Sequence, residues 1–417
     1  MDILRIATAG SVDDGKSTLI GRLLYETKSI TKDKIEALET ASKRKGLDFT
    51  DLSLLTDGLI AEREQGITID VAHIYFSTPK RKYIIADTPG HFEYTRNMVT
   101  GASNTKVSMI LVDARNGVLE QTFRHFFIAS MLRIPKVIVC INKMDLVGYS
   151  EARFNEIKTE IEGIVAKFSF EGQEVNFIPM SSLYGQNISI RSTEMPWFTG
   201  GSLLENLETF NPNTLAYEAG KFDRFPVQFV VRPKTEEFHD YRGYAGKIAS
   251  GTFAVGETVT VLPTGQTSTI ATIEKFTDKV ASAGAKESVV ITLETDVDVS
   301  RGNMLVKTDH QPAQLKEIKA RICWMDSQAL VAGKNYILQH GINDSKAKLV
   351  SINNKIDAVK QETIDQVSEL KLNEIGEVTI KTAKPIFADK YADNPANGAF
   401  ILTDEFSNST VGVGFVL

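Results

Sequence analysis

Gly10-Ser11-Val12-Asp13-Asp14-Gly15-Lys16-Ser17, directly behind the apolar run Ile3 to Ala9 and ahead of the helix-like stretch Ser17 to Leu24, decides the fold of this 417-residue chain. It fits the phosphate-loop pattern G-x-x-x-x-G-K-[ST], in which small residues let consecutive backbone N–H groups wrap phosphates while a lysine neutralises the β and γ oxygens. Strand, loop and helix follow one another as the pattern requires. Lys16 is the expected lysine, Ser17 the expected magnesium ligand, and Thr18 carries the binding stretch into the helix. A strand–loop–helix unit of this kind predicts an α/β P-loop domain with a doubly wound, mostly parallel sheet.

Four further segments follow. At Gly66-Ile67-Thr68-Ile69-Asp70 the Thr68 hydroxyl is expected to complete the magnesium shell, in a contact that exists only with the triphosphate bound. The apolar strand Tyr83 to Ala86 then delivers Asp87-Thr88-Pro89-Gly90-His91. This sets a carboxylate beside the metal, the Gly90 N–H against the γ-phosphate, and His91 where it can orient the attacking water. Beyond the strand Val137 to Ile141, Asn142-Lys143-Met144-Asp145 predicts guanine selection. The Asp145 carboxylate can accept from N1–H and the exocyclic amine, a donor pair adenine lacks, while the Lys143 stem lies over the base. Ser181-Ser182-Leu183, after the strand Phe177 to Met180, falls where a last loop offers backbone N–H to the guanine oxygen and is the least specific of the five segments.

Additional core strands are expected at Ser108 to Val112 and Val175 to Pro179, and a helix between Ser150 and Phe168. There Phe154, Ile157, Ile161, Ile164, Val165 and Phe168 recur at helical spacing and read as a core face. After Pro212 the texture changes to short alternating runs broken by Gly, Pro, Asp and Asn, among them Phe225 to Val231, Tyr244 to Ile248, Thr258 to Leu262 and Val289 to Leu293. Two all-β barrels explain these runs, with a break near Lys307 to Pro312 before the run Lys316 to Trp324. The expected domains are therefore residues 1–212, 222–309 and 313–417.

Composition narrows the function. A net charge of −6 argues against a protein devoted to nucleic-acid backbone, and Lys43-Arg44-Lys45 reads as a solvated helix surface. Cys140 and Cys323 are the only cysteines and read as buried thiols of a reducing compartment. Six scattered histidines show no metal-ligand spacing, so magnesium is the one metal expected. No signal peptide is evident and no apolar run approaches the roughly 20 residues that span a bilayer, so the expectation is a cytoplasmic protein with neither membrane nor nucleic acid as partner.

Taken together, the five segments and the two barrel-like regions resemble the translation-factor superfamily of GTPases. Within it the chain is most similar to the large, GTP-hydrolysing subunits of bacterial sulfate adenylyltransferase. Ser11 stands where elongation factors place His after the first glycine of the loop. Asp57-Gly58-Leu59 with Glu62 to Asp70, Tyr94-Thr95-Arg96-Asn97-Met98, Thr100-Gly101-Ala102-Ser103 and Asp113-Ala114-Arg115 fit the family. So do Arg242 to Gly246, Val299 to Gly302, Trp324-Met325, Phe387-Ala388-Asp389 and Gly398 to Leu402, which extend the likeness over essentially the whole chain. Phe123, where a basic residue is expected, and Asn303, where Asp is usual, depart from the pattern away from the nucleotide segments.

The resemblance implies that GTP hydrolysis with Mg2+ on this chain drives formation of adenylyl sulfate and pyrophosphate from ATP and sulfate. That transfer occurs on a small catalytic partner subunit of a hetero-oligomer, the first step of sulfate assimilation. The chain carries one phosphate loop and no S-G-G-x-D-S-type ATP loop, consistent with that division. It also implies that Asp13 helps hold a monovalent cation beside the phosphates, as in some relatives. The competing expectation is an elongation-factor-type GTPase that delivers aminoacyl-tRNA.

Overall fold

A six-stranded sheet organises the first part of the chain in the computed structural model. The structure describes residues 2–44, 46, 50–55, 70–212, 222–233, 241–276 and 278–417. The strands are β1 Ile3–Ala9, β2 Ala72–Ser77, β3 Lys82–Asp87, β4 Val107–Asp113, β5 Lys136–Asn142 and β6 Glu174–Pro179. All neighbours pair in parallel except β2, an antiparallel edge strand on β3. Every residue of β4 and β5 is buried, as expected of central strands covered on both faces.

The helices cover those faces with apolar stripes. Helix α1 (Lys16–Glu26) buries Leu19, Ile20, Leu23 and Leu24. The helix Glu151–Phe168 buries Phe154, Ile157, Ile161 and Ile164, and its first turn is capped by Ser150, whose hydroxyl accepts from Arg153 N at 3.3 Å. Leu4, Ile6, Met109, Leu111, Ile138, Cys140 and Ile178 from the strands pack with Leu19, Ile20 and Leu23 into one core. Because β1 lies between β3 and β4, the chain leaves the sheet in opposite directions around β1. The carboxyl ends of β1, β3, β4, β5 and β6 therefore open onto one crevice, where α/β sheets bind ligands.

The chain divides into two compact units, Met1–Leu215 with Ala358–Glu362, and Ala216–Asp357 with Thr363–Leu417. In the second unit, strands Thr258–Leu262, Met304–Lys307, Arg224–Val231, Gly243–Lys247, Ser288–Leu293 and Gln266–Lys275 pair in that order, and the last closes on the first. A second ring runs Asn335–His340, Ala399–Thr403, Thr410–Val416, Ala313–Trp324, Ile375–Ala388 and Asn343–Asp357, and also closes. These are two closed barrels, filled by Phe225, Tyr244, Phe253, Val261 and Ile273 in one and Trp324, Tyr336, Leu338, Leu349 and Ile380 in the other. They meet at a buried ion pair: Arg224 donates to both Asp389 oxygens, at 2.9 and 2.7 Å, and to the His310 carbonyl at 2.7 Å. Asn394 and Asn397 also donate to Asp389, so the buried charges have the hydrogen bonds that burial demands. Cys140 and Cys323 are buried free thiols. Among the described residues no helix is long and apolar enough to cross a membrane.

Candidate functional site

The loop between β1 and α1 is held in a shape that few sequences allow. Asp13 and Gly15 lie in the left-handed region, with φ of 68° and 93°. A Cβ on Gly15 would come within 2.5 Å of the Asn142 amide, so glycine is required both for its conformation and for the approach. Inside the loop the Ser11 N–H donates to the Asp14 carboxylate at 2.6 Å. From outside, the Asn142 amide donates to the Asp14 carbonyl at 2.8 Å and the Lys143 ammonium donates to the Asp13 carbonyl. Gly10 and Lys16 line the interior, Val12 is exposed, and Ser17 and Thr18 are half-buried in the first turn of α1.

Lys16 is 8% exposed, and among the described residues the partner of its ammonium is the Gly10 carbonyl at a long 3.4 Å. Burial lowers its pKa, while Asp87 and Asp14 work against the shift. A buried cation with one long hydrogen bond, under a loop of backbone amides, is a site built for an anion. Asp14, 3% exposed, has its carboxyl raised to about 6, chiefly by burial.

At the end of β3, Asp87, Thr88, Pro89 and Gly90 are all buried. The Thr8 hydroxyl donates to Asp87 Oδ1 at 2.7 Å, and the Thr88 hydroxyl to the Thr8 carbonyl at 2.5 Å. Gly90 lies so close to the phosphate loop that a Cβ would meet the Gly10 carbonyl at 1.9 Å and Lys16 Nζ at 3.0 Å. Any side chain at position 90 would displace the loop. His91 is exposed, and its Nδ1 accepts from the Glu93 N–H at 3.3 Å. Beside the Gly90 backbone sits His125, 3% exposed, with its Nδ1 unpartnered among the described residues. Burial holds this imidazole neutral, its pKa lowered to about 3. Thr68, with the rest of 56–69, lies outside the described residues.

The third cluster forms where β4, β5 and β6 end. The Asn142 Oδ1 accepts from the Ser182 N–H at 3.0 Å and the Ser182 hydroxyl at 2.9 Å, so Asn142 joins the phosphate loop to the Ser181–Leu183 loop. Lys143 has a positive φ of 61° and its ammonium pairs with Asp113 Oδ2 at 3.1 Å. Burial works to raise the Asp113 carboxyl, but hydrogen bonds from Arg115 and Lys143 outweigh it and hold it at about 2. Met144 is buried, with its N–H on the Met180 carbonyl at 3.1 Å, and Asp145 follows half-buried. From α1, Arg22 donates to the Ser182 carbonyl at 3.1 Å and to the Leu183 carbonyl.

The segments expected from sequence at residues 10–18, 87–91, 142–145 and 181–183 therefore stand around one crevice. Thr8, Arg22, Asp113 and His125 were not anticipated as parts of it. Thr8 and Asp113 lie near the carboxyl ends of sheet strands, the one signal that marks them.

A family model described as the Elongation factor Tu GTP binding domain matches residues 1–213, and one described as GTP-eEF1A C-terminal domain-like matches residues 317–417. The Bifunctional enzyme CysN/CysC of Mycobacterium tuberculosis is 46% identical over 417 residues, which is 100% of this chain and 67% of that protein. Sulfate adenylyltransferase subunit 1 of Bacteroides fragilis is 46% identical over 420 residues, 100% of this chain and 86% of the relative. The Colwellia psychrerythraea protein of the same name is 44% identical, covering 100% and 88%. The chain belongs to the sulfate adenylyltransferase subunit 1 family, and its first 213 residues match the elongation factor Tu type of GTP-binding domain.

Proposed function

We propose that this chain is the GTP-hydrolysing subunit of a sulfate adenylyltransferase. In this reading GTP cleavage here drives formation of adenylyl sulfate and pyrophosphate from ATP and sulfate on a small catalytic partner subunit. The observation that carries the nucleotide reading is Lys16, a buried cation beneath the phosphate loop with one long hydrogen bond among the described residues. Identity of 46% along the whole chain to a sulfate adenylyltransferase subunit 1 supports the coupling reading over delivery of aminoacyl-tRNA.

In the proposed mechanism the backbone amides from Asp13 to Thr18 and the Lys16 ammonium neutralise the β- and γ-phosphates. Asp145 accepts from the guanine donor edge, with Lys143 stretched across the base toward Asp113. Ser17, Asp87 and Thr68 are the residues that would hold Mg2+, hard oxygen donors suited to it, and the ion supplies charge neutralisation as the terminal phosphoryl leaves. Gly90 donates its N–H to the γ-phosphate, and His91, exposed beside it, turns inward to orient the attacking water. The contacts that Thr68 and Gly90 make with the γ-phosphate are lost when it leaves, and that local change biases the state of the partner.

The test is to combine the chain with its small catalytic subunit, ATP, sulfate and pyrophosphatase and to follow adenylyl sulfate. GTP should accelerate its formation. No effect of GTP, together with tight GTP-dependent binding of aminoacyl-tRNA, would transfer the assignment to the elongation-factor role.

A further inference from the structure

Arg22 lies in none of the nucleotide-binding segments, yet its guanidinium reaches across 160 residues of sequence to the loop expected at the base. Its Nε donates to the Ser182 carbonyl at 3.1 Å and its Nη2 to the Leu183 carbonyl. The side chain is 18% exposed, and Glu26, one turn further along α1, stands 3.9 Å from its Nε. Glu26 in turn accepts from the Ser189 N–H at 3.2 Å. Gly185, with φ of 77°, lets the loop pass so close that a Cβ there would sit 2.4 Å from Glu26 Oε1. Two side chains on one face of α1 thus grip the loop from 182 to 189, while Asn142 holds the Ser182 N–H and hydroxyl.

The planarity of the peptide bond turns this grip into a statement about direction. The Ser182 carbonyl and the Leu183 N–H belong to one trans peptide unit and point in opposite senses. A guanidinium on that carbonyl therefore fixes the Leu183 N–H to point away from α1. The Ser182 and Tyr184 N–H groups on either side are both engaged, whereas that of Leu183 has no partner among the described residues.

We propose that Arg22 is a positioning residue for base selection, aiming the Leu183 N–H at the 6-keto oxygen of guanine. The inference rests on the guanine-nucleotide reading given above. It requires the planar fork of arginine, which meets two carbonyls at once; lysine offers a single point donor. It also ties the two ends of the ligand together, since α1 begins at Lys16 under the phosphates and carries Arg22 to the base loop.

The experiment is equilibrium binding of GTP, ITP and 2-aminopurine riboside triphosphate to the full chain and to Arg22→Lys and Arg22→Ala. ITP keeps the 6-keto oxygen, whereas the 2-aminopurine nucleotide lacks it. Arg22→Lys should weaken GTP and ITP alike by about tenfold, Arg22→Ala should weaken them further, and both should leave the 2-aminopurine nucleotide within about twofold. Equal weakening of all three would mean a purely structural role, and no weakening of any would remove Arg22 from the site; either result overturns the proposal. Should the parent chain itself bind GTP and the 2-aminopurine nucleotide equally, the guanine reading fails first and takes this inference with it.

Discussion

The Asn142 side-chain amide donates to the Asp14 carbonyl at 2.8 Å, so the end of β5 is fastened to the phosphate loop 128 residues earlier in the chain. Its other atom, Oδ1, accepts from the Ser182 N–H and hydroxyl. This one side chain therefore bonds to both the phosphate and the base halves of the crevice. Asn142→Ala removes all three bonds and leaves a buried N–H unpaired, at a cost of about 1–3 kcal/mol for the orphaned group. The thermal midpoint should fall by several degrees and GTP affinity by roughly 100-fold, read by calorimetry. An unchanged affinity would show that the two halves are held by other means.

Asp145 carries the proposed discrimination against adenine. Replacing its carboxylate by an amide in Asp145→Asn supplies a donor where an acceptor stood, which suits the 2-keto group of xanthine. Preference should move from GTP toward XTP by on the order of 100-fold or more, measured in competition. Unaltered GTP preference would remove Asp145 from base reading.

His91 is exposed and directly follows Gly90 in the chain. His91→Ala should leave GTP binding close to that of the parent while slowing single-turnover hydrolysis by about 100-fold or more. Equal hydrolysis rates would assign the water to another group.

Asp14 gives the nucleotide-free protein a pH signature. Burial raises its carboxyl from 3.8 to about 6, so the unfolded chain ionises it first. The sign follows: the stability contribution is full below about pH 4, is lost as pH rises through about 6, and stays lost above that. Asp14→Asn keeps an acceptor for the Ser11 N–H but cannot ionise. Relative to the parent it should gain a few degrees in thermal midpoint between about pH 4 and about 6, with a constant difference above. Parallel curves for the two proteins across that range would show that Asp14 titrates normally.

Much of this architecture was legible in the sequence, for reasons that differ between elements. The phosphate-loop pattern locates β1 at Ile3–Ala9 because its glycines and lysine pin the end of a strand. The stripe from Phe154 to Ile164 gives the helix Glu151–Phe168, since four buried positions at helical spacing leave little choice. By contrast, β2 at Ala72–Ser77 is an edge strand with one buried residue, Phe76, stacked 4.4 Å from Tyr83, and it shows no clear alternation. The long barrel strands Asn343–Asp357 and Ile375–Ala388 were also missed. Register shifts between Leu349 and Ser351 and between Ile352 and Asn354 break the period of two in the first, and the pairing of the second with Ala313–Trp324 shifts between Lys381 and Ile386. In the site, a motif points to the residues inside it and not to those that touch it from afar. Nothing local in Thr8, Arg22 or His125 reveals Asp87, Ser182 or Gly90 as a partner.

The central claim is that GTP cleavage on this chain does work on sulfate activation, and the yield of adenylyl sulfate at equilibrium tests it most directly. With the small catalytic subunit, ATP and sulfate but no pyrophosphatase, adenylyl sulfate should accumulate beyond its GTP-free equilibrium level while GTP is being hydrolysed. A non-hydrolysable GTP analogue should leave that level unchanged. The same final yield with GTP, with the analogue and with neither would contradict the account.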